Sequence, residues 1–183
     1  MSESVHDTMK TLRRLVFPVV LGSVLLASPL VQYAQADGED DGEPTCRKGL
    51  VWDKKKQMCI PAQSGVISDD ALADYAFALA GEERFAEALD ILALAENQNN
   101  AKILNYRGYA NRKLGRIDEG IHYYHQALSI DPDNVLVRSY LGEAYLKKGD
   151  SEKARALLAE IRDRCGTECK PYINLANAIE ASG

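Results

Sequence analysis

The stretch "ILNYRGYANRKLGRIDEGIHYYHQALSIDPDN" (residues 103–134) decides the fold because the sequence repeats it. A shift of 34 residues superimposes it on "VRSYLGEAYLKKGDSEKARALLAEIRDRCGTE" (residues 137–168). An upstream copy, "DDALADYAFALAGEERFAEALDILALAENQNN" (residues 69–100), superimposes with a shift of 32 residues. A period of this length, carrying two amphipathic helices, indicates a stack of similar helix pairs.

Small residues recur at matching positions of the three copies. In the first helix of each pair, helix A, they are Ala76, Gly108 and Gly142, and in the second, helix B, they are Ala88, Gly120 and Ala154. A larger side chain would force two packed helices apart, so we expect these positions to lie where helix A presses on helix B. Asp131-Pro132 is expected to end one pair and to start the next, since proline cannot continue a helix.

This pattern resembles the tetratricopeptide repeat family. The matching residues are Leu104, Gly108, Tyr124, Ala127 and Pro132 in the second copy, and Leu141, Gly142, Tyr145, Ala154 and Leu158 in the third. Arg107 and Asn111 depart from the pattern, because the family usually has apolar or aromatic residues there.

The register divides the chain into three repeats and a final helix. The repeats are predicted at residues 69–100, 101–134 and 135–168, and a capping helix is predicted at residues 169–183. A lone final helix covers the exposed face of the last repeat in such stacks. The predicted fold class is therefore an all-α solenoid of helical hairpins, with a small disulfide-closed β-hairpin before it.

The first 36 residues have the pattern of a signal peptide. Basic residues precede an apolar run at residues 15–31, and a small-residue site, Ala-Gln-Ala, follows at residues 34–36. An uncleaved membrane anchor is the alternative. The resemblance to small exported bacterial proteins with these repeats implies the periplasm, with secretion as the second location. Membrane contact is expected only transiently, through the signal peptide. The acidic residues 37–44 are predicted to be a disordered tail.

The chain has four cysteines, and an even number in an exported chain indicates disulfides. Of the three possible pairings, the local one joins Cys46 to Cys59 and Cys165 to Cys169. The first bond would close a hairpin at residues 45–60, which a linker at residues 61–68 connects to the repeats. The second would join the last repeat to the capping helix. It has one residue more than a thioredoxin-like redox motif, which argues against an oxidoreductase.

The hairpin loosely resembles the cysteine hairpin of small chitin-binding modules. That resemblance implies an alternative function, binding of chitin or peptidoglycan in the cell envelope with Trp52 stacked on a sugar. The other reading is that Trp52 packs the hairpin against the helices.

Several function classes lack support in the sequence. The net charge of −5 does not favour nucleic-acid binding. No phosphate loop, serine elbow or metal triad is present, and His122 and His125 are predicted on the outer surface of a helix B. We therefore predict no enzymatic activity, no cofactor and no metal.

The resemblance implies that helix A residues line a concave groove that receives a peptide segment. The predicted groove residues are Lys102, Asn105, Tyr109 and Arg112 in the second repeat, with Ser139 and Glu143 in the third. They are expected to hold the backbone and carboxylates of an extended segment. Family members that clamp a C-terminal carboxylate use Lys and Asn in the first repeat, where this chain has Ala73 and Phe77, so that activity is not implied. The predicted partner is a protein or peptide of unknown identity.

Overall fold

The structure is a computed structural model, and it describes residues 44–63 and 65–183. The predicted signal peptide and nearly all of the predicted acidic tail lie outside the described residues. The described part contains a two-stranded hairpin followed by seven helices: β1 (Leu50–Asp53), β2 (Met58–Pro61), α1 (Asp69–Gly81), α2 (Phe85–Leu92), α3 (Ala101–Lys113), α4 (Ile117–Ile130), α5 (Val135–Lys148), α6 (Ser151–Cys165) and α7 (Lys170–Ala181). The all-α fold class with its small hairpin is confirmed. Among the described helices, none is both long and apolar enough to span a membrane.

Polar side chains begin most of the helices. Ser68, Asn100, Asn134 and Asp150 each accept a hydrogen bond from a backbone N–H in the first turn of the helix that follows. Pro132 does not start the next helix, so its role is smaller than the sequence predicts. It lies in the turn after α4, and Asn134 starts α5.

The turn between helix A and helix B has the same backbone conformation in all three repeats. Glu83, Gly115 and Gly149 occupy matching positions, with φ angles of 61°, 81° and 89°. Glycine adopts this left-handed region without steric cost, whereas a residue with a Cβ does not. The first repeat therefore makes the turn with an unfavourable residue.

The small residues of the second repeat lie where α3 and α4 pack most closely. A Cβ added to Gly108 would lie 2.6 Å from the ring of Tyr124, which is fully buried. A Cβ added to Gly120 would lie 3.0 Å from the carbonyl oxygen of Gly108. These two positions therefore have the role that the pattern predicts.

The predicted contact of Gly142 with helix B of the third repeat is wrong. A Cβ added there would lie 2.6 Å from Leu175 of α7, so its closest neighbour is the capping helix and not helix B of its own repeat. Leu175 is fully buried in the core cluster of the second and third repeats. The last helix, α7, thus covers the third repeat by packing Leu175 against Gly142.

The hairpin packs on the first repeat. β1 and β2 pair antiparallel, with Trp52 opposite Cys59, and a disulfide joins Cys46 to Cys59 as predicted. Cys46 and Val51 are buried in the same core cluster as the residues of α1 and α2. The hairpin therefore covers the open face of the first repeat, as α7 covers the last.

A second disulfide joins α6 to α7. It bonds Cys165, the last residue of α6, to Cys169, which precedes α7. Gly166 follows α6 with a φ of 77°, so the chain turns sharply inside the disulfide loop. Such a loop restrains the capping helix at its start.

The two residues that depart from the repeat pattern have polar partners. Arg107 donates to the carbonyl of Leu92 and to the side chain of Gln98, so it links the first and second repeats. The buried Asn111 donates to the carbonyl of Arg107 at 2.9 Å. Both polar side chains are thereby satisfied inside the stack.

Candidate functional site

The first helices of the pairs form the inner layer of the stack. α1 contacts α3, α3 contacts α5, and α5 contacts α7, whereas α2, α4 and α6 make no contacts with one another in the described part. Neighbouring A helices are therefore closer together than neighbouring B helices, and the surface that they share is concave. We call this concave surface the groove.

Four aromatic rings cross the groove from the first repeat to the third. The Phe77 ring of α1 stacks on Tyr106 of α3 with 5.1 Å between centroids and lies 6.3 Å from Tyr109. The Tyr109 ring lies 5.1 Å from Tyr140 of α5. Phe77 is 45% exposed, an unusual environment for a phenylalanine. We call Phe77, Tyr106, Tyr109 and Tyr140 the aromatic ladder.

Arg112 lies at the end of the ladder, and its side chain is only 4% exposed. Its Nη1 pairs with Oε2 of Glu143 at 3.0 Å, and its guanidinium lies 5.4 Å from the Tyr109 ring centroid and 5.8 Å from that of Tyr140. Its Nε donates to the hydroxyl of Tyr124 at 3.4 Å. Its Nη2 has no hydrogen-bond partner in the described part of the chain. A buried cation is thus left with one unsatisfied nitrogen.

The surroundings shift several pKa values in this cluster. Burial disfavours the charged form of Arg112, but Tyr124 and Glu143 outweigh it, and the pKa of Arg112 lies above its usual value. Burial raises the pKa of Tyr140 to about 12, and it raises the pKa of Tyr124 still further. Around neutral pH the Arg112 guanidinium is therefore charged, and the phenols of Tyr124 and Tyr140 are neutral.

A pocket of about 360 Å³ opens beside Arg112, where α3, α5 and α7 meet. It is lined by Arg112, Glu143, Leu146, Lys147, Ala178, Ala181 and Ser182. We call it the Arg112 pocket. Because α7 supplies Ala178 and Ala181, and Ser182 follows directly after it, the capping helix forms part of the site.

The six predicted groove residues do not lie together at one point. Lys102 pairs with Asp74 at 2.6 Å, about 15 Å along the helix axis from Arg112. Asn105 and Ser139 are buried at matching positions of two repeats, with 4% and 0% exposure. Their Oδ1 and Oγ atoms have no hydrogen-bond partner in the described part. Of the six predicted residues, Tyr109, Arg112 and Glu143 form one contiguous cluster, and the role of all six in binding remains a prediction.

Sequence reasoning missed Tyr106 and Tyr140, which form half of the ladder. Both sit at the same register position of their repeats, so the recurrence of tyrosine at this position was an available signal. The prediction assigns only one stripe of helix A to the groove, and neither tyrosine belongs to that stripe. Their long side chains reach it from the neighbouring stripe.

Trp52 lies at the hairpin, on a different part of the surface. It is half-buried against the first core cluster, and it lines a cavity of about 460 Å³ together with residues of the linker and α1. This contact supports the interpretation that Trp52 packs the hairpin against the helices of the first repeat. Sugar binding remains a prediction, and loss of chitin or peptidoglycan binding in Trp52→Ala would support it.

His122 and His125 lie on the exposed side of α4. His125 Nε2 lies 3.0 Å from the hydroxyl of Tyr145. Within residues 44–63 and 65–183, no group of three or more His, Cys, Asp or Glu could hold a metal ion.

Comparisons with known proteins agree with this architecture. Residues 112–164 match the tetratricopeptide repeat family. A similar solved structure is the type III secretion translocator chaperone SycD of Yersinia enterocolitica, which is 19% identical with a TM-score of 0.53 over 62% of this chain and 88% of that chain. A second is SycD in complex with a peptide of the translocator YopD, which is 18% identical with a TM-score of 0.55 over 65% of this chain and 96% of that chain.

At this level of identity, the similarity to SycD shows the fold. A search of curated protein sequences finds none that matches the chain significantly. The repeat register, the helix pairs that pack through Gly108 and Gly120, and the family match lead to one conclusion. The described part of the chain has the fold of a tetratricopeptide repeat stack, and residues 112–164 match that family.

Proposed function

We propose that this protein is a non-catalytic, exported binding protein that holds an extended segment of a partner protein in its groove, as a chaperone or assembly factor of the cell envelope. The observation that carries the proposal is the aromatic ladder. It crosses three repeats on the concave surface, and it includes a phenylalanine that is 45% exposed. An exposed phenylalanine ring that packs on partly buried tyrosines in a concave surface is typical of a recognition site.

The spacing of the ladder suits an extended chain. Side chains on one face of an extended segment recur about every 6.6 Å, since each residue advances about 3.3 Å. The rings of the ladder lie 5.1 to 6.3 Å apart. Because the rings pack on one another, alternate apolar side chains of a bound segment would lie over the outer surface of the rings, and this aromatic surface would supply most of the affinity.

The similarity to SycD supports the proposal in its general form. One of the similar structures contains SycD with a bound peptide of the translocator YopD. A fold of this kind can therefore hold a peptide of another protein. The partner of this chain must be found by experiment, because identity to SycD is low.

Export is supported by the two disulfides and by the signal-like sequence at residues 1–36. Structural disulfides persist in oxidising compartments such as the periplasm. Expression of the full chain in a bacterial host, followed by fractionation and mass spectrometry, tests this part of the proposal. We expect a periplasmic protein that begins after residue 36, and a reduced cytoplasmic protein of full length would contradict it.

Selection from a displayed library of random peptides tests the binding function. We expect enriched peptides with apolar residues at alternate positions. Their affinity should fall about tenfold or more in Phe77→Ser, because the exposed ring is removed. His122→Ala, on the opposite surface, is the matched control and should bind as the wild type does. Peptides that bind equally well to both variants would contradict a site in the groove.

A further inference from the structure

We propose that the hairpin docks on an anionic phospholipid bilayer, with the turn between β1 and β2 as the point of contact. This inference concerns the hairpin and not the groove, so it goes beyond the proposed function. It adds a second membrane contact to the transient one that the sequence predicts for the signal peptide. The contact surface consists of the basic turn at residues 54–56 and the apolar side chains of Trp52, Met58 and Val66, and we call it the basic tip.

The first observation is the uneven distribution of charge along the chain. Residues 44–63 contain five basic residues and one acidic residue, which gives this segment a net charge of +4. Residues 65–183 contain 14 basic and 19 acidic residues, a net charge of −5. Cations that are concentrated on one short segment of an otherwise acidic protein favour contact of that segment with an anionic surface.

The one acidic residue of the hairpin shapes the basic turn. Oδ1 of Asp53 accepts hydrogen bonds from the backbone N–H groups of Lys55 at 2.9 Å and Lys56 at 3.1 Å. Oδ2 of Asp53 lies 3.5 Å from Nζ of Lys56. After this ion pair is counted, the turn keeps two net positive charges. Residues 54–56 are exposed, so the turn presents its lysines at the surface.

Apolar side chains lie beside these cations. Met58 is 52% exposed, and Val66 of the linker is 60% exposed. Val66 lines a cavity of about 460 Å³ together with Trp52. Lys54 and Lys55 line the same cavity. Lysines next to tryptophan and exposed aliphatic side chains are typical of protein surfaces that lie in the headgroup region of a membrane.

The same features favour a lipid surface over a sugar. A sugar needs hydrogen-bond acceptors for its hydroxyl groups, and the one carboxylate of the cavity lining, Asp53, is already occupied by the turn. Exposed side chains such as Met58 and Val66 gain little from a hydrated sugar. At the boundary between headgroups and acyl chains, their burial is favourable.

The residues before the hairpin oppose this contact. Residues 37–43 contain five carboxylates, which an anionic bilayer repels and which compete with it for the lysines. We therefore expect modest affinity that falls with salt. Replacement of Asp40 and Asp41 by asparagine should strengthen binding, by up to about fivefold for each charge removed.

The fluorescence of Trp52 tests the proposal, because it is the only tryptophan of the chain and lies in the basic tip. The protein, as the host exports it, is titrated with vesicles of phosphatidylcholine alone and with vesicles of equal parts phosphatidylcholine and phosphatidylglycerol. Brominated acyl chains in these vesicles quench a tryptophan that reaches the membrane. We expect a blue shift and quenching with the phosphatidylglycerol vesicles only, and high salt should reverse both.

Matched variants locate the contact. Lys55→Gln removes one cation from the basic tip, and we expect the affinity for anionic vesicles to fall about fivefold. Lys170→Gln, at the first residue of α7, makes the same change in net charge away from the hairpin and should bind as the wild type does. Met58→Ser should weaken binding about two- to fivefold, because apolar contact is lost. All three residues are exposed, and circular dichroism would verify the fold.

The inference would be overturned by unchanged Trp52 fluorescence with phosphatidylglycerol vesicles, by equal binding to both kinds of vesicle, or by equal losses in Lys55→Gln and Lys170→Gln. A response to soluble peptidoglycan fragments without a response to vesicles would also overturn it, and it would favour sugar binding by Trp52. These results can be told apart from failure of the proposed function, because the loss of peptide affinity in Phe77→Ser is measured without lipid.

Discussion

The hydroxyl of Tyr75 accepts a hydrogen bond from the backbone N–H of Cys46 at 2.6 Å, across the boundary between the hairpin and the first repeat. Nη2 of Arg84 donates to the carbonyl of the same cysteine at 2.7 Å. Two side chains of the first repeat thus hold both backbone polar groups of Cys46, next to the disulfide that closes the hairpin. The hairpin is therefore fixed as a cap on the first repeat.

Tyr75→Phe tests this cap. The substitution leaves the buried N–H of Cys46 without an acceptor, and we expect the free energy of unfolding to fall by about 1 to 3 kcal/mol. Chemical denaturation measures the change. Tyr172→Phe is the matched control, since no hydrogen bond of the Tyr172 hydroxyl is present in the described part. Equal stability of Tyr75→Phe and wild type would mean that the hairpin is not held through this contact.

Gly108→Ala tests the close packing of the second repeat. The added Cβ would lie 2.6 Å from the buried Tyr124 ring, so the ring or the helix must shift, and we expect a loss of about 1 to 3 kcal/mol. Gly81→Ala is the matched control, because an added Cβ there meets no atom within 4 Å. It should be neutral or slightly stabilising. Similar effects of the two substitutions would contradict the assigned packing.

Glu83→Gly tests the strained turn of the first repeat. Glu83 has a φ of 61°, where the matching residues of the other repeats are glycines. Glycine removes the strain of the left-handed conformation, and this gain in free energy exceeds the entropic cost of ordering a glycine. We therefore expect the free energy of unfolding to rise by up to about 1 kcal/mol. Gly115→Ala should have the opposite sign by a similar amount. Thermal unfolding measures both, and a lower melting temperature for Glu83→Gly would contradict the account.

The pH dependence of stability tests the burial of Tyr140. Burial raises its pKa to about 12, above the value near 10 of an exposed tyrosine. Between these two values the unfolded chain loses the proton first, so the free energy of unfolding should fall as the pH rises from 10 to 12. In Tyr140→Phe this fall should be less steep, because the difference in bound protons between the folded and unfolded states is smaller by up to about one proton. Identical slopes for variant and wild type would show that Tyr140 is not buried in this way.

The repeat register predicted the parts of the fold that follow from local sterics. Gly108 and Gly120 recur because two helices can approach closely only where side chains are small, and this constraint is visible in the sequence. Gly142 has the same register position but a different neighbour, Leu175. The register could not predict this contact, because the third repeat is followed by a lone helix and not by another complete pair.

The candidate site was less predictable than the fold. Counting fixed positions along helix A found Tyr109 and Arg112, but it missed Tyr106 and Tyr140, whose rings reach the groove from a neighbouring stripe. The pairing of Arg112 with Glu143 depends on the distance between α3 and α5. That distance is a property of the packed stack and not of either helix alone.

Site-specific photo-crosslinking in the exporting cell tests the central claim most directly. A benzoylphenylalanine replaces Phe77 in the groove, and in the control it replaces His122 on the exposed side of α4. The account predicts a discrete crosslinked partner with Phe77 only, joined through an extended segment that mass spectrometry can identify, and competed by peptides from the display selection. Crosslinks of equal yield to the same partner from both positions, or a partner captured only from His122, would contradict the claim that the groove is the binding site.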